Sequence, residues 1–172
     1  MADKKAVRAR MNELLAQGVG KTEVFRQLAT TDIKPRVLAG WLAATPDMSA
    51  RQAMSVHITI LCGLMVAQAL IVFMVLLPVS LFFALVIAMI PLLFAWGFRK
   101  PAAGAYSGYI LLSIISIAQN AAKFRGIDTP TVIGLAIGIA TICYVAWIQW
   151  RVFPDMTFAG PNRKSGEYVF KT

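Results

Sequence analysis

Four long apolar segments, separated by short polar loops, dominate the hydrophobic pattern of the chain. They cover residues 53–77, 81–98, 102–122 and 130–150. A helix needs about 20 residues to cross the ~30 Å hydrocarbon layer of a bilayer, and each segment is near that length. Between residues 53 and 98 the only ionisable side chains are His57 and Cys62. The pattern therefore predicts an all-α integral membrane protein built as a bundle of four transmembrane helices.

The residues before the first segment have a different pattern, in which apolar positions recur at helical spacing in three short stretches. Val7, Met11 and Leu14 mark the apolar face of the first stretch, which Gly18 ends. Pro35 is expected to begin the third stretch, because its missing N–H costs nothing at the first helical position. We expect these helices to pack on one another and on the membrane face or a partner.

Three regions follow from these patterns. Residues 1–48 form a small helical region, residues 49–150 contain the four transmembrane helices, and residues 151–172 form a polar tail. The tail contains Pro154, Gly160, Pro161 and Gly166, so it is expected to be irregular. Residues 168–170 are its candidate docking strip.

Basic residues are distributed unequally between alternate loops. Of the 17 Lys and Arg residues, 15 lie before the first segment, between the second and third, or after the fourth. The remaining 2 are Lys123 and Arg125. The positive-inside rule then predicts that both termini lie in the cytoplasm. The net charge of +9 is attributed to topology and attraction to anionic membrane lipids, so nucleic acid is not the expected partner.

Polar side chains inside the apolar segments are candidates for function, because a bilayer makes an unpartnered polar group costly. Amides of the first and third segments reach nearly the same depth at about 1.5 Å rise per residue. The candidate contacts with a protein partner are Gln68, Ser113, Ser116, Gln119 and Asn120. Hydrogen bonding between the protein's own helices is the alternative interpretation of the same residues.

Glycines repeat at a spacing of four in the third and fourth segments. The pairs are Gly104 with Gly108 and Gly134 with Gly138. Small residues at this spacing let helix backbones approach closely in a membrane. The pairs therefore predict close helix packing, within one chain or in a homo-oligomer.

Several chemistries are not expected from this sequence. The four segments contain no Asp or Glu, and the chain has one His and 2 Cys. These residues do not supply a catalytic constellation, a metal site or the carboxylates that proton-coupled transporters commonly use. We therefore expect no enzymatic activity and no cofactor.

Two strings near the N-terminus look like motifs. Residues 18–22 resemble the end of a phosphate-binding P-loop, but the first glycine of that motif is replaced by Leu15 and no strand precedes it. Residues 21–29 and 35–43 have the cadence of a helix–turn–helix. The outer face of the second helix would offer Lys34, Arg36 and then the small residues Ala39, Gly40 and Ala43. A packing domain is therefore favoured over a DNA-reading one.

The string KTEVFRQLATTDIKPRVLAGWLAATPD, followed by four apolar segments, resembles small inner-membrane proteins of Gram-negative bacteria. Some proteins of this build are immunity proteins that protect a cell from pore-forming toxins. The resemblance covers the architecture and implies no residue-level site. It favours a non-enzymatic interaction protein, with immunity to a membrane-targeting toxin as the first hypothesis. A small channel or transporter subunit is the alternative, and a membrane-tethered DNA-binding regulator is the third.

Overall fold

The computed structural model describes residues 4–29, 33–121, 129–157, 160–164 and 167–170, with only the backbone described at 120–121 and 129–131. The chain divides into two compact units. Unit 1 combines Met1–Asp47 with Phe153–Thr172, and unit 2 is Met48–Val152. The first and last parts of the sequence therefore belong to the same unit.

Unit 1 begins with three amphipathic helices, as predicted. They are α1 (Lys4–Ala16), α2 (Lys21–Leu28) and α3 (Pro35–Ala43). Gly18 ends the first of them with a φ of 81°, in the left-handed region where glycine carries no steric penalty. The N–H of Val19 donates to the Leu14 carbonyl and that of Gly18 to Leu15, which closes the helix with a Schellman motif.

The C-terminal segment completes unit 1. Its short strands β1 (Met156–Thr157) and β2 (Gly160–Pro161) pair antiparallel, as do β3 (Arg163–Lys164) and β4 (Glu167–Tyr168). The expectation of an irregular tail is wrong for these residues. The reason is aromatic burial, since Phe170 lies in the core of α1–α3 and its ring centroid is 5.6 Å from that of Phe25.

Unit 2 contains the apolar segments. Its helices are α4 (Met48–Ala53), α5 (Ser55–Leu76), α6 (Leu81–Arg99), α7 (Ala103–Ala121) and α8 (Thr129–Val152). Three described stretches, Ser55–Leu76, Leu81–Arg99 and Val132–Val152, are long and apolar enough to cross a membrane. The described apolar part of α7, Ala103–Gln119, is shorter. The structure thus defines a helical membrane protein with three candidate spans and one further apolar helix.

The four long helices contact one another in a ring. α5 packs along α6, α7 packs along α8, and the contacts of α6 with α7 and of α5 with α8 close the ring. Large apolar side chains outside the ring are exposed, among them Ile71 at 64% and Phe82 at 71%. An apolar outer surface of this extent is what helices in contact with lipid tails require.

Candidate functional site

A cavity of about 1110 Å³ lies among the four long helices of unit 2. Its polar lining residues are Gln68, Tyr109, Ser113, Ser116 and Gln119. The apolar side chains around them include Val72 of α5, Phe94 of α6 and Leu135 of α8. Each helix of the ring therefore contributes to a mainly apolar cavity with a few polar groups, which is the usual composition of a binding site.

The cavity brings together four of the five residues that the sequence selected as candidate contacts. Gln68 lies on α5, and Ser113, Ser116 and Gln119 lie on α7. The side chain of Asn120 is outside the described residues. In the described structure both amides line the cavity, and no hydrogen bond joins Gln68 to Gln119. The amides therefore face a shared space instead of bonding directly across it.

Within the single chain, the glycine pairs do not bring helix backbones into close contact, and packing against a second copy stays a prediction. A Cβ atom placed on Gly104 or Gly134 would meet no atom within 4 Å, so these two glycines do not hold backbones together. Gly108 and Gly138 are in ordinary contact with side chains, at 3.7 Å and 3.6 Å from a built Cβ. Both glycines of α8 line the cavity. Their missing side chains leave space for it.

The closest glycine contact is one that sequence reasoning missed. A Cβ on Gly97, near the end of α6, would lie 2.5 Å from the Cβ of Ala105 on α7. No real Cβ atoms approach so closely, and alanine has no flexible end that could move aside. The available signal was the run of small residues at 102–105, directly after the short turn between the two helices.

A polar and aromatic contact joins α5 to α8. The Nδ1 of His57 lies 3.0 Å from the hydroxyl of Tyr144, and the His57 ring meets Trp147 edge-on at 5.0 Å between centroids. The sequence identified His57 as an ionisable side chain in the first apolar segment but did not indicate these partners. They lie 87 or more residues further along the chain, beyond any local pattern.

Unit 1 gives no support to the two N-terminal motifs. Ala39 and Ala43, assigned to an outer, DNA-facing surface of α3, are fully buried at 0% exposure. That assignment is wrong because both side chains belong to the hydrophobic core of unit 1. Lys21 of the P-loop-like string donates to the Asp155 carboxylate and to the Thr45 carbonyl, so its ammonium is engaged within the fold.

Among the described residues, no three His, Cys, Asp or Glu side chains are grouped so that they could hold a metal ion. Comparison of the chain with protein-family models, with curated proteins and with solved structures gives no match.

Proposed function

We propose that this is a non-enzymatic membrane interaction protein that holds a membrane-inserted segment of a partner protein, with immunity to a pore-forming toxin as its role. The cavity among α5–α8 carries this proposal. Its apolar lining suits the side chains of an inserted segment, and Gln68, Ser113 and Gln119 offer hydrogen bonds to polar atoms on it. Such bonds are worth about 0.6–2 kcal/mol each inside a membrane.

The size of the cavity limits what it can hold. A helix about 10 Å across has a cross-section of about 80 Å², so 1110 Å³ corresponds to about 14 Å of helix, or about nine residues. This is about half of a membrane-spanning helix. The proposed complex therefore holds part of a toxin helix between α5 and α7, and blocks its assembly into a conducting pore.

Unit 1 is built from chain segments on both sides of unit 2, and this arrangement supports four crossings of the membrane. Residues on either side of unit 2 share one core, as the contact of Phe25 with Phe170 illustrates. Two parts of one core lie on the same side of a bilayer, so the chain between them crosses an even number of times. Three stretches of unit 2 have the length and composition of spans, so an even number of crossings favours α7 as the fourth. The distribution of Lys and Arg then favours cytoplasmic termini in the inner membrane.

Membrane potential in cells that make this protein together with a genetically linked toxin tests the proposal. The wild-type protein should prevent depolarisation. The triple variant Gln68→Leu, Ser113→Ala and Gln119→Leu should fail to do so at equal expression, because an apolar cavity leaves the polar atoms of the toxin helix unpaired.

The matched control is Thr59→Val with Thr141→Val. These hydroxyls donate to the Ser55 and Ile137 carbonyls of their own helices, and neither residue lines the cavity. The control variant should protect as well as the wild type does. Depolarisation of cells that make the wild-type protein would overturn the proposal.

A small channel or transporter subunit is the second candidate, and the polar stripe of α7 favours it. Ser113, Ser116 and Gln119 follow one another along the cavity wall at helical spacing. Reconstituted wild-type protein should then conduct ions in the absence of any toxin, and Ser116→Leu should reduce the conductance. A reconstituted protein that is silent in both forms would exclude this candidate.

A further inference from the structure

Unit 1 contains a second cavity, of about 400 Å³, between the first turn of α3 and the two β-hairpins. Its lining residues are Arg36, Thr157, Pro161, Asn162, Arg163 and Tyr168. It shares no residue with the cavity of unit 2. A volume in the range of about 300–1,000 Å³ is typical of sites for small ligands, and this one suits a single charged group.

The charge of the lining is of one sign. Arg36 and Arg163 contribute guanidinium groups, and no Asp or Glu lies among the lining residues. Neither arginine forms an ion pair within the part of the chain that the structure describes. The amide of Asn162 adds neutral hydrogen-bonding capacity. Uncompensated guanidinium groups with a neighbouring amide are suited to an anion with several oxygen atoms.

One of the arginines is held in place before any ligand arrives. The Arg163 guanidinium lies 4.4 Å from the centroid of the Tyr168 ring and donates to the Tyr168 hydroxyl. The Tyr168 ring in turn contacts Phe25, with 5.6 Å between centroids. Because this stack ties Arg163 to the core of unit 1, less side-chain entropy is lost when a ligand binds.

The second arginine is brought to the pocket by the packing of α3. This helix contacts β2, and Arg36 follows Pro35 in its exposed first turn. Two guanidinium groups from distant parts of the sequence thus reach one cavity. Planar guanidinium groups match phosphate oxygens in pairs, which a lysine cannot do.

We propose that this pocket binds a phosphate group, and that the headgroup of an anionic phospholipid supplies it. The chain passes directly from unit 1 into the helices of unit 2 at Asp47–Met48 and again at Val152–Phe153. Both connections tether the pocket to the membrane, where phospholipid headgroups are the most abundant phosphates. Inorganic phosphate offers the same chemistry, and the experiment separates the two sources.

Native mass spectrometry of the full-length protein in an uncharged detergent measures the binding. Phosphatidylglycerol and phosphatidylcholine with the same acyl chains are the two lipid probes. The variant Arg36→Gln with Arg163→Gln should bind phosphatidylglycerol at least about tenfold more weakly, since two charge-assisted contacts are lost. The variant Lys4→Gln with Arg10→Gln loses the same charge outside the pocket and should bind it like the wild type.

Inorganic phosphate, added as a competitor, distinguishes the sources. Displacement of phosphatidylglycerol assigns the pocket to phosphate in either form, and lipid binding that resists phosphate assigns it to the headgroup. Equal affinity in the two double variants overturns the proposal. If the pocket variant loses its helical circular dichroism, the single variant Arg36→Gln on the exposed turn replaces it, with a loss of about threefold or more. An unchanged affinity in that variant would also overturn the proposal.

Discussion

The ammonium group of Lys21 lies 2.7 Å from a carboxylate oxygen of Asp155, and the two residues are 134 positions apart in the sequence. The side chain of Asp155 is fully buried, and that of Lys21 is 15% exposed. This ion pair joins α2 to the residues that follow α8. It therefore connects the two sequence segments from which unit 1 is built.

Replacing Asp155 with alanine should destabilise unit 1 strongly. The substitution leaves the Lys21 ammonium without its carboxylate in a mostly buried position, and breaking such a pair costs about 3 kcal/mol or more. Hydrogen exchange of the α2 amides in the full-length protein should then accelerate by about a hundredfold. The comparison variant is Glu13→Ala, which breaks the exposed pair with Arg10. It should change the opening free energy that exchange reports by less than about 1 kcal/mol. Equal exchange in the two variants would contradict the prediction.

Replacing Gly97 with alanine should lower the thermal stability of unit 2. The new Cβ would lie 2.5 Å from that of Ala105, and overpacking of this kind costs about 1–3 kcal/mol. Adding Ala105→Gly in the same protein should recover most of the loss, because the methyl group then sits on the opposite helix. Gly104→Ala, which meets no atom within 4 Å, should be tolerated. Unfolding midpoints in detergent measure all of these variants, and an unchanged midpoint for Gly97→Ala would contradict the reported helix contact.

Replacing Tyr144 with phenylalanine should weaken the contact of α5 with α8. The ring remains and keeps its packing beside Trp147, whereas the hydrogen bond to His57 at 3.0 Å is lost. We expect a cost of about 0.6–2 kcal/mol in the free energy of unfolding in detergent. Thr141→Val removes a hydroxyl that bonds only within α8 and should cost less. A Tyr144→Phe variant as stable as the Thr141→Val control would show that the bond contributes nothing.

Single cysteines should report the proposed topology. In a background without Cys62 and Cys143, a cysteine at Ser80 should react with an impermeant thiol reagent from outside intact cells. Cysteines at Lys4 and Asn162 should react only after lysis, because four crossings leave both on the cytoplasmic side with most of the basic residues. Opposite labelling of Lys4 and Asn162 would mean that α7 does not cross.

The helices could be predicted from local pattern alone, and the ends of the four long ones differ from the predicted segment ends by at most two residues. Part of the cavity lining could be predicted as well, because Gln68 and Ser113 stand out as polar groups in apolar segments. Contacts between residues far apart in the sequence could not be predicted. The partner of Phe25 is Phe170, and no periodicity connects residues so far apart.

The position of the closest helix contact was the second feature that could not be predicted from the sequence. Gly104 and Gly134 each belong to a pair with the spacing of a helix-packing motif, yet the close contact falls on Gly97. The spacing reports which face a glycine occupies, whereas the neighbour on that face depends on how the helices are arranged. For Gly134 the neighbour is a cavity, which no sequence pattern distinguishes from a helix.

Because unit 1 is built from segments that precede and follow unit 2 in the sequence, the two segments are synthesised at different times. The apolar faces of α1–α3 leave the ribosome before unit 2 is made, and Phe170 can cover them only after α8 has been inserted. A chain that inserts one helix too few would deliver residues 153–172 to the wrong side of the bilayer. Its N-terminal helices would then keep exposed apolar surface, which chaperones and proteases recognise. Under the proposed topology, unit 1 can therefore close only in a chain whose helices have all been inserted.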